Sequence, residues 1–131
     1  DFLREKSSLA RVVDALGRNN HTEGAIAEYF LTVASKNGNL ACDADIEGEI
    51  GFVHDQQQAE NALQRTRNGD FLDIHEWVFR QSSFRLIVED LFCLGLISLR
   101  EDSFADTIGF EFFVTMRRSG RGPDLDRLSL L

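Results

Sequence analysis

The chain has 131 residues, 43% of them hydrophobic, and its 22 acidic and 14 basic side chains give a formal net charge of −8. This length and composition fit one globular domain and exclude an intrinsically disordered chain. No apolar run approaches the roughly 20 residues that span a bilayer, so the sequence predicts no transmembrane helix.

The charge is unevenly distributed along the chain. Residues 117–131 hold four bases and two acids, whereas residues 1–116 are strongly acidic. An acidic body repels a phosphate backbone, so nucleic acid is disfavoured as the main partner. We expect a single α/β domain or C-terminal half-domain at 1–116, followed by a flexible basic tail at 117–131.

Cysteine usage and the first residues bear on the compartment. Two cysteines are too few for a disulfide framework, which favours a reduced, cytoplasmic location. The chain opens Asp-Phe-Leu without an initiator methionine or a signal peptide, and we expect a mature or excised fragment.

Hydrophobic periodicity and capping residues predict two N-terminal helices. The first begins after Ser7 or Ser8, either of which can be its N-cap, and stops at Gly17. Thr22 is the predicted N-cap of the second helix, which we expect to end at Asn37-Gly38. These two elements form a helical pair.

The middle of the chain predicts a loop and a third helix. Residues 39–52 are acidic and interrupted by glycine, which indicates a loop or a strand-poor excursion. A calcium loop is rejected because residues 43–49 lack the ligand spacing of an EF-hand. The glutamine-rich segment from Asp55 to Arg67 predicts a surface helix that Asn68-Gly69 ends.

The best organised stretch, Asp73 to Thr115, predicts a helix that leads into two strands. Ser82 or Ser83 is expected to cap the helix, and its apolar face runs from Phe84 to Leu94. Gly95 then supplies a left-handed C-cap.

The two strands are predicted from short apolar patterns. Leu96 to Leu99 is branched and strand-like, Arg100 to Thr107 is a polar connection, and Phe110 to Met116 alternates as a second strand. Because Phe113 points to the opposite face from the other apolar residues, we expect both faces to be partly covered. An interior position in a sheet follows.

Several motifs carry a family resemblance: His75-Glu-Trp-Val-Phe, Ser83-Phe-Arg-Leu, Glu89-Asp-Leu, Leu94-Gly-Leu-Ile and Gly109-Phe-Glu-Phe-Phe-Val. With them the chain resembles the C-terminal half of bacterial class I S-adenosylmethionine-dependent methyltransferases, of the methyltransferase-domain type linked to cell-surface sugar metabolism. The resemblance extends over nearly the whole chain. It implies an α/β fold, α+β for the isolated chain, in which a helix leads into the last two strands of a class I methyltransferase-like sheet, the final strand being antiparallel.

The resemblance also implies a function. The chain would be the substrate-side portion of a methyltransferase that acts on a small molecule or sugar. The family binds its cofactor at a glycine-rich turn between a strand and a helix in the first half of the fold, and no such turn is recognised here. We therefore expect S-adenosylmethionine to bind outside this chain, and the isolated chain to be inactive without a missing N-terminal half. A homo-oligomer is the other partner considered.

The candidate site residues are polar or aromatic. His75 and Glu76 are the catalytic candidates, and His21, His54 and Trp77 are candidates for substrate binding. If the three histidines converge, they supply a general base near neutral pH. A three-histidine metal site is the alternative, but the wide separation gives no ligand spacing, so no metal is expected. Trp77 also fits a core position.

Two other classes of function remain open. A cap, a striped helix and a hairpin follow one another in winged-helix domains, where the second helix of a helix-turn-helix reads DNA. In the helix after Ser83, Arg85 is the only basic side chain that could contact DNA. This favours a protein-protein interaction module over DNA binding. The third interpretation is a non-catalytic dimerisation domain with exposed apolar faces.

Overall fold

Helices and small antiparallel sheets make up the fold, which is mixed α+β as predicted for the isolated chain. The computed structural model describes residues 3–40, 47–108 and 111–131. In these ranges the elements are α1 (Leu9–Asp14), α2 (Glu23–Thr32), β1 (Ala34–Lys36), β2 (Asn39–Leu40), β3 (Ile50–Phe52), α3 (Gln56–Arg67), α4 (Gln81–Cys93), β4 (Arg100–Ile108), β5 (Glu111–Arg117) and α5 (Arg127–Leu130).

The chain divides into two compact units. Unit 1 is Gly17–Val78 with the N-terminal segment up to Glu5, and unit 2 is Lys6–Leu16 with Phe79–Leu131. In unit 1, α2 packs on α3, and β1 lies between β2 and β3 with antiparallel pairing to both. The core of unit 1 consists of small and branched apolar side chains: Ala25, Ile26, Ala62 and Ile74, with Tyr29, Phe30, Leu63 and Leu72 packed against them.

Three helices begin where the sequence predicts. The hydroxyl of Ser8 accepts the N–H of Arg11 at the start of α1, and that of Thr22 accepts the N–H of Ala25 at the start of α2. Asp55 and Gln58 form a reciprocal capping box at the start of α3. Each contact satisfies backbone donors that a helix start leaves unpaired.

The predicted end of the second helix is wrong. The helix α2 stops at Thr32, and Asn37-Gly38 joins β1 to β2 instead of closing a helix. Both turn residues have positive φ, 50° and 78°, as a type I′ turn requires. Asn-Gly between two short strands therefore acts as a hairpin signal. Of the acidic segment that follows, residues 41–46 lie outside the described residues.

Unit 2 is built around α4, which packs on β4, α1 and α5. The N-cap of α4 is Arg80, and the predicted cap Ser83 lies at the third helical position, where its hydroxyl accepts the N–H of Arg80 at 3.0 Å. The predicted caps, Ser82 and Ser83, therefore lie two and three residues after the N-cap of the structure. Gly95 does end the helix with φ 71°, and the N–H of Leu96 bonds back to the carbonyl of Leu91 in a Schellman motif.

The strand before Arg100 was predicted wrongly. Residues 96–99 contain no strand, whereas β4 occupies the segment that we interpreted as a polar connection. The pattern misleads because the buried position of β4 holds Glu101, which is neutralised by an arginine of α4, so no apolar alternation marks the strand. Burial of a paired charge replaces burial of an apolar side chain.

The strand β5 is confirmed, but its environment differs from the expectation. In the described residues β5 pairs only with β4, antiparallel, so it is one half of a hairpin rather than an interior strand. Phe112 and Val114 are half-buried, whereas Phe113 is 54% exposed. One face of the hairpin is therefore open.

The segment after β5 is more ordered than the expected unstructured exit. Gly122 donates its N–H to the carbonyl of Glu101, and the short helix α5 places Leu130 in a buried position. Asp126 caps α5 by accepting the N–H of Ser129. Within the described ranges, no helix has the length and apolar character needed to cross a membrane.

Candidate functional site

Glu76 is the centre of a buried polar cluster in unit 1. It lies after α3 in a segment that is neither helix nor strand. Side-chain burial alternates there: Ile74 and Glu76 are buried, whereas His75 and Trp77 are exposed. Because Ile74 belongs to the core, the alternation carries the Glu76 carboxylate inward, and Glu76 is only 7% exposed.

Two side chains near the start of unit 1 contact the Glu76 carboxylate. Nδ1 of His21 lies 2.6 Å from Oε2, and Nη2 of Arg18 lies 3.4 Å from Oε1. His21 directly precedes Thr22, the N-cap of α2, so the start of the helix fixes the backbone that carries the ring. The ring also stacks on Phe71, with the ring centres 5.6 Å apart. Glu76 is thus held between an imidazole and a guanidinium.

Arg4 extends the cluster toward an aromatic group. Its Nη2 donates to the backbone carbonyl of Glu76 at 3.1 Å, and its guanidinium lies 5.5 Å from the centre of the Tyr29 ring. The His54 ring lies 5.8 Å from Tyr29 and 4.5 Å from Phe30, measured between ring centres. The imidazole of His54 therefore packs against two aromatic side chains.

The structure brings together two of the five predicted site residues, His21 and Glu76. His75 and Trp77 are exposed, and His54 packs among aromatic rings, so the three histidines have different neighbours. In the part of the chain that the structure describes, no group of three or more His, Cys, Asp or Glu side chains is arranged to hold a metal ion.

The His21–Glu76 pair has a defined chemistry. An ionised carboxylate only accepts hydrogen bonds, so Nδ1 of His21 donates to Glu76 and carries the ring proton. When Nδ1 holds the only ring proton, Nε2 is a proton acceptor. A histidine oriented in this way by a carboxylate is an arrangement suited to general-base catalysis.

A second buried polar cluster lies in unit 2 between α4 and β4. Nε and Nη2 of Arg85 donate to the two carboxylate oxygens of Glu101 at 2.9 and 2.7 Å, and the two side chains are 7% and 4% exposed. Nη2 also donates to Asp124 at 2.6 Å, and the guanidinium lies 4.3 Å from the centre of the Phe104 ring. These contacts hold the guanidinium in one orientation.

The second cluster lines a cavity of about 540 Å³, whose charged residues are Arg85, Glu101, Asp102, Arg121 and Asp124. The hydrogen bond from Arg85 holds the pKa of Asp124 below its ordinary value. The hydrogen bond to Glu101, followed by that to Asp124, raises the pKa of Arg85 despite its burial. Asp124 and Arg85 are therefore both charged at neutral pH.

Another ion pair joins α4 to the start of β4. Nε and Nη2 of Arg100 donate to Glu89 at 2.9 and 2.5 Å, and the guanidinium lies 5.0 Å from the centre of the Phe92 ring. The hydrogen bond from Arg100 lowers the pKa of Glu89 below its ordinary value, against the opposing effect of burial.

The lowered pKa of Glu89 predicts a pH-dependent stability. The stabilisation is fully present above the unfolded-state pKa of about 4.5 and is lost as the pH falls through the lower folded-state pKa. The difference in free energy of unfolding between the wild type and Glu89→Gln should therefore be largest near neutral pH and shrink on acidification. Urea denaturation at a series of pH values measures it, with the exposed Glu111→Gln as the control. A difference that grows on acidification would contradict the prediction.

Arg4, Arg18 and Asp124 were missed at the level of sequence. Arg4 and Arg18 lie 72 and 58 positions from Glu76, and Asp124 lies 39 positions from Arg85, so no local motif joins these partners. Glu76 itself was a predicted candidate, and one further signal in the sequence indicates its burial. Glu76 shares an alternating phase with the apolar residues Ile74 and Val78, and a charge in such a phase requires a buried partner.

The candidate sites are thus two clusters, one in each unit. The first pairs His21 with the buried Glu76, and the second surrounds Arg85 at a cavity. Comparison of the chain with protein-family models, with curated proteins and with solved structures found no match.

Proposed function

We propose that this chain is the C-terminal, substrate-side portion of an S-adenosylmethionine-dependent methyltransferase, and that the His21–Glu76 pair is its general base. The observation that carries the proposal is the 2.6 Å contact between Nδ1 of His21 and the buried carboxylate of Glu76. The substrate would be a small molecule or sugar whose hydroxyl loses its proton as it is methylated.

The order of elements in unit 2 supports the proposal. The motifs from His75 onward resemble those of methyltransferases in which a helix leads into the last two strands, the final one antiparallel. Here α4 is followed by β4 and β5, and these two strands pair antiparallel. A shared order of elements is support at the level of analogy, whereas the chemistry rests on the site.

Each member of the site has a separate role in the proposal. Nε2 of His21 accepts the proton of the substrate hydroxyl, and Glu76 positions the ring and stabilises the imidazolium that results. Arg18 offsets the negative charge of the buried carboxylate. His75, the catalytic candidate of the sequence, is exposed and has no role in this proton transfer.

Among the described residues, the glycines that follow β5 do not offer a turn of the kind that binds a nucleotide. A nucleotide-binding turn needs glycines that let a ligand approach the backbone at a helix start. Gly120 and Gly122 follow β5, but they pack against Arg100 and Glu101, and the helix after them has only four residues. In the proposal the cofactor, which supplies the methyl group, is bound by a part of the protein outside this chain.

The test is methyl transfer by the full-length product of the gene that encodes this chain. His21→Asn keeps a hydrogen-bond donor toward Glu76 but removes Nε2, and should lower kcat at least about 100-fold. His75→Asn, the same change at the exposed histidine next to Glu76, should leave kcat close to the wild type. Full activity of His21→Asn would overturn the assignment of the base.

The location of the cofactor site has its own test. Micromolar binding of S-adenosylmethionine to the isolated chain would contradict a cofactor site outside it.

A protein-interaction module is the second candidate, and a specific observation favours it. The helix α4 and the β4–β5 hairpin have the order of a winged helix, and Ile108 and Phe113 are exposed on the hairpin. Arg85, the one basic side chain of this helix that could have contacted DNA, is buried in an ion pair, which further disfavours DNA as the partner.

A homo-oligomer is a related proposal. Sedimentation of the chain at high concentration tests it, and a strictly monomeric profile would exclude it.

A further inference from the structure

We propose that the cavity of unit 2 binds a small ligand that carries a carboxylate or phosphate group, and that Asp124 occupies the position of this oxyanion when no ligand is present. The cavity of about 540 Å³ is within the range of about 300–1,000 Å³ that is typical of small-molecule sites. The residues that line this cavity do not include His21 or Glu76, so a test of this proposal is independent of the proposed base.

The cavity contains a guanidinium that is already oriented. Glu101 accepts hydrogen bonds from Nε and Nη2 of Arg85, and the ring of Phe104 lies 4.3 Å from the guanidinium carbon. A guanidinium fixed in this way presents its remaining donors in a set direction, which is the arrangement that recognises carboxylate and phosphate groups. Little reorganisation is needed when an oxyanion arrives.

Asp124 is the replaceable partner of this guanidinium. It contacts Nη2 of Arg85 at 2.6 Å, yet its own side chain is 85% exposed. An ion pair in which one member is hydrated contributes little, so an incoming oxyanion competes with Asp124 at a cost of about five-fold or less in affinity. The displaced carboxylate regains full hydration.

The charges around the cavity then favour an anion. Glu101 is neutralised by Arg85, and Asp102 is neutralised by Arg117 at 3.1 Å. Arg121 also lines the cavity, and no ion pair of Arg121 is found among the described residues. Once Asp124 has moved into solvent, Arg121 is the uncompensated charge, and it attracts an oxyanion.

The experiment is an NMR titration of the isotope-labelled chain with inorganic phosphate and, separately, with acetate, at constant ionic strength. Amide signals of the cavity residues Ser103 and Gly122 should shift and saturate at millimolar concentrations. Asp124→Asn removes the competing charge and should tighten binding by up to about five-fold. Arg121→Gln removes the attracting charge and should weaken binding by roughly three-fold or more.

Two matched variants serve as controls. Asp106→Asn removes an acid of β4 that does not line the cavity, and Arg118→Gln removes an exposed base of the same C-terminal segment; both should bind as the wild type does. Preference for phosphate or for acetate identifies the source of the oxyanion. Absence of saturation with both anions, weaker binding by Asp124→Asn, or equal effects of Arg118→Gln and Arg121→Gln would overturn the proposal. If Asp124→Asn does not fold, the comparison of the two arginine variants decides.

Discussion

Replacing Glu101 with alanine is expected to lower the free energy of unfolding of unit 2 by about 3–5 kcal/mol. The substitution leaves the guanidinium of Arg85 buried without its main partner, and the remaining partner, Asp124, is largely in solvent. Amide hydrogen exchange in α4 measures the effect, because it reports the opening of the element that carries Arg85.

Two further variants separate the buried charge from other effects. Glu111→Ala removes an exposed carboxylate of β5 and should change the free energy of unfolding by no more than about 0.5 kcal/mol. The double variant Arg85→Met/Glu101→Leu replaces the pair by apolar groups and should recover most of the lost stability. A loss below about 1 kcal/mol for Glu101→Ala would show that solvent reaches Arg85 freely.

Gly120→Ala is expected to destabilise unit 2 by about 3 kcal/mol. A Cβ atom at this position would clash with the carbonyl oxygen of Arg100 and would lie 2.6 Å from that of Glu101. Both atoms belong to the backbone of β4, so relief of the clash requires movement of a strand rather than rotation of a side chain. Urea denaturation followed by circular dichroism measures the loss.

Gly24→Ala is the matched control for the glycine substitution. Gly24 lies in α2, and an added Cβ would meet only the hydroxyl of Thr22, at an ordinary distance of 3.8 Å. Because alanine restricts the unfolded chain and favours a helix, this variant should gain up to about 1 kcal/mol. Equal stability of Gly120→Ala and the wild type would mean that the segment after β5 does not pack on β4 in solution.

Local signals were enough to predict most of the helices. Ser8, Thr22 and Asp55 cap α1, α2 and α3 with side-chain oxygens, and these contacts span only three residues. Gly95 likewise ends α4 through its own positive φ. Such features depend on a few neighbouring residues, so the sequence contains all the information that they need.

Strands and the candidate site depend on partners that are distant in the chain. The strand β4 lacks an apolar pattern because Glu101 takes the buried position and is neutralised by Arg85, 16 positions earlier. Glu76 likewise depends on a distant partner, because its contact with His21 spans 55 positions. A pairing of this kind depends on tertiary packing, so no local motif joins the two residues.

The contacts of Glu76 also have a consequence for the order of folding. The helices α1 and α4 pack together in unit 2, although the residues of unit 1 from Gly17 to Val78 separate them in the chain. Because Arg18 and His21 contact Glu76, folding of unit 1 brings the two ends of this long segment together. The loop-closure entropy that opposes the α1–α4 contact is then already reduced. During synthesis, α1 emerges before α4 but reaches this packing partner only after unit 1 has been synthesised, so these contacts link the assembly of the two units in time.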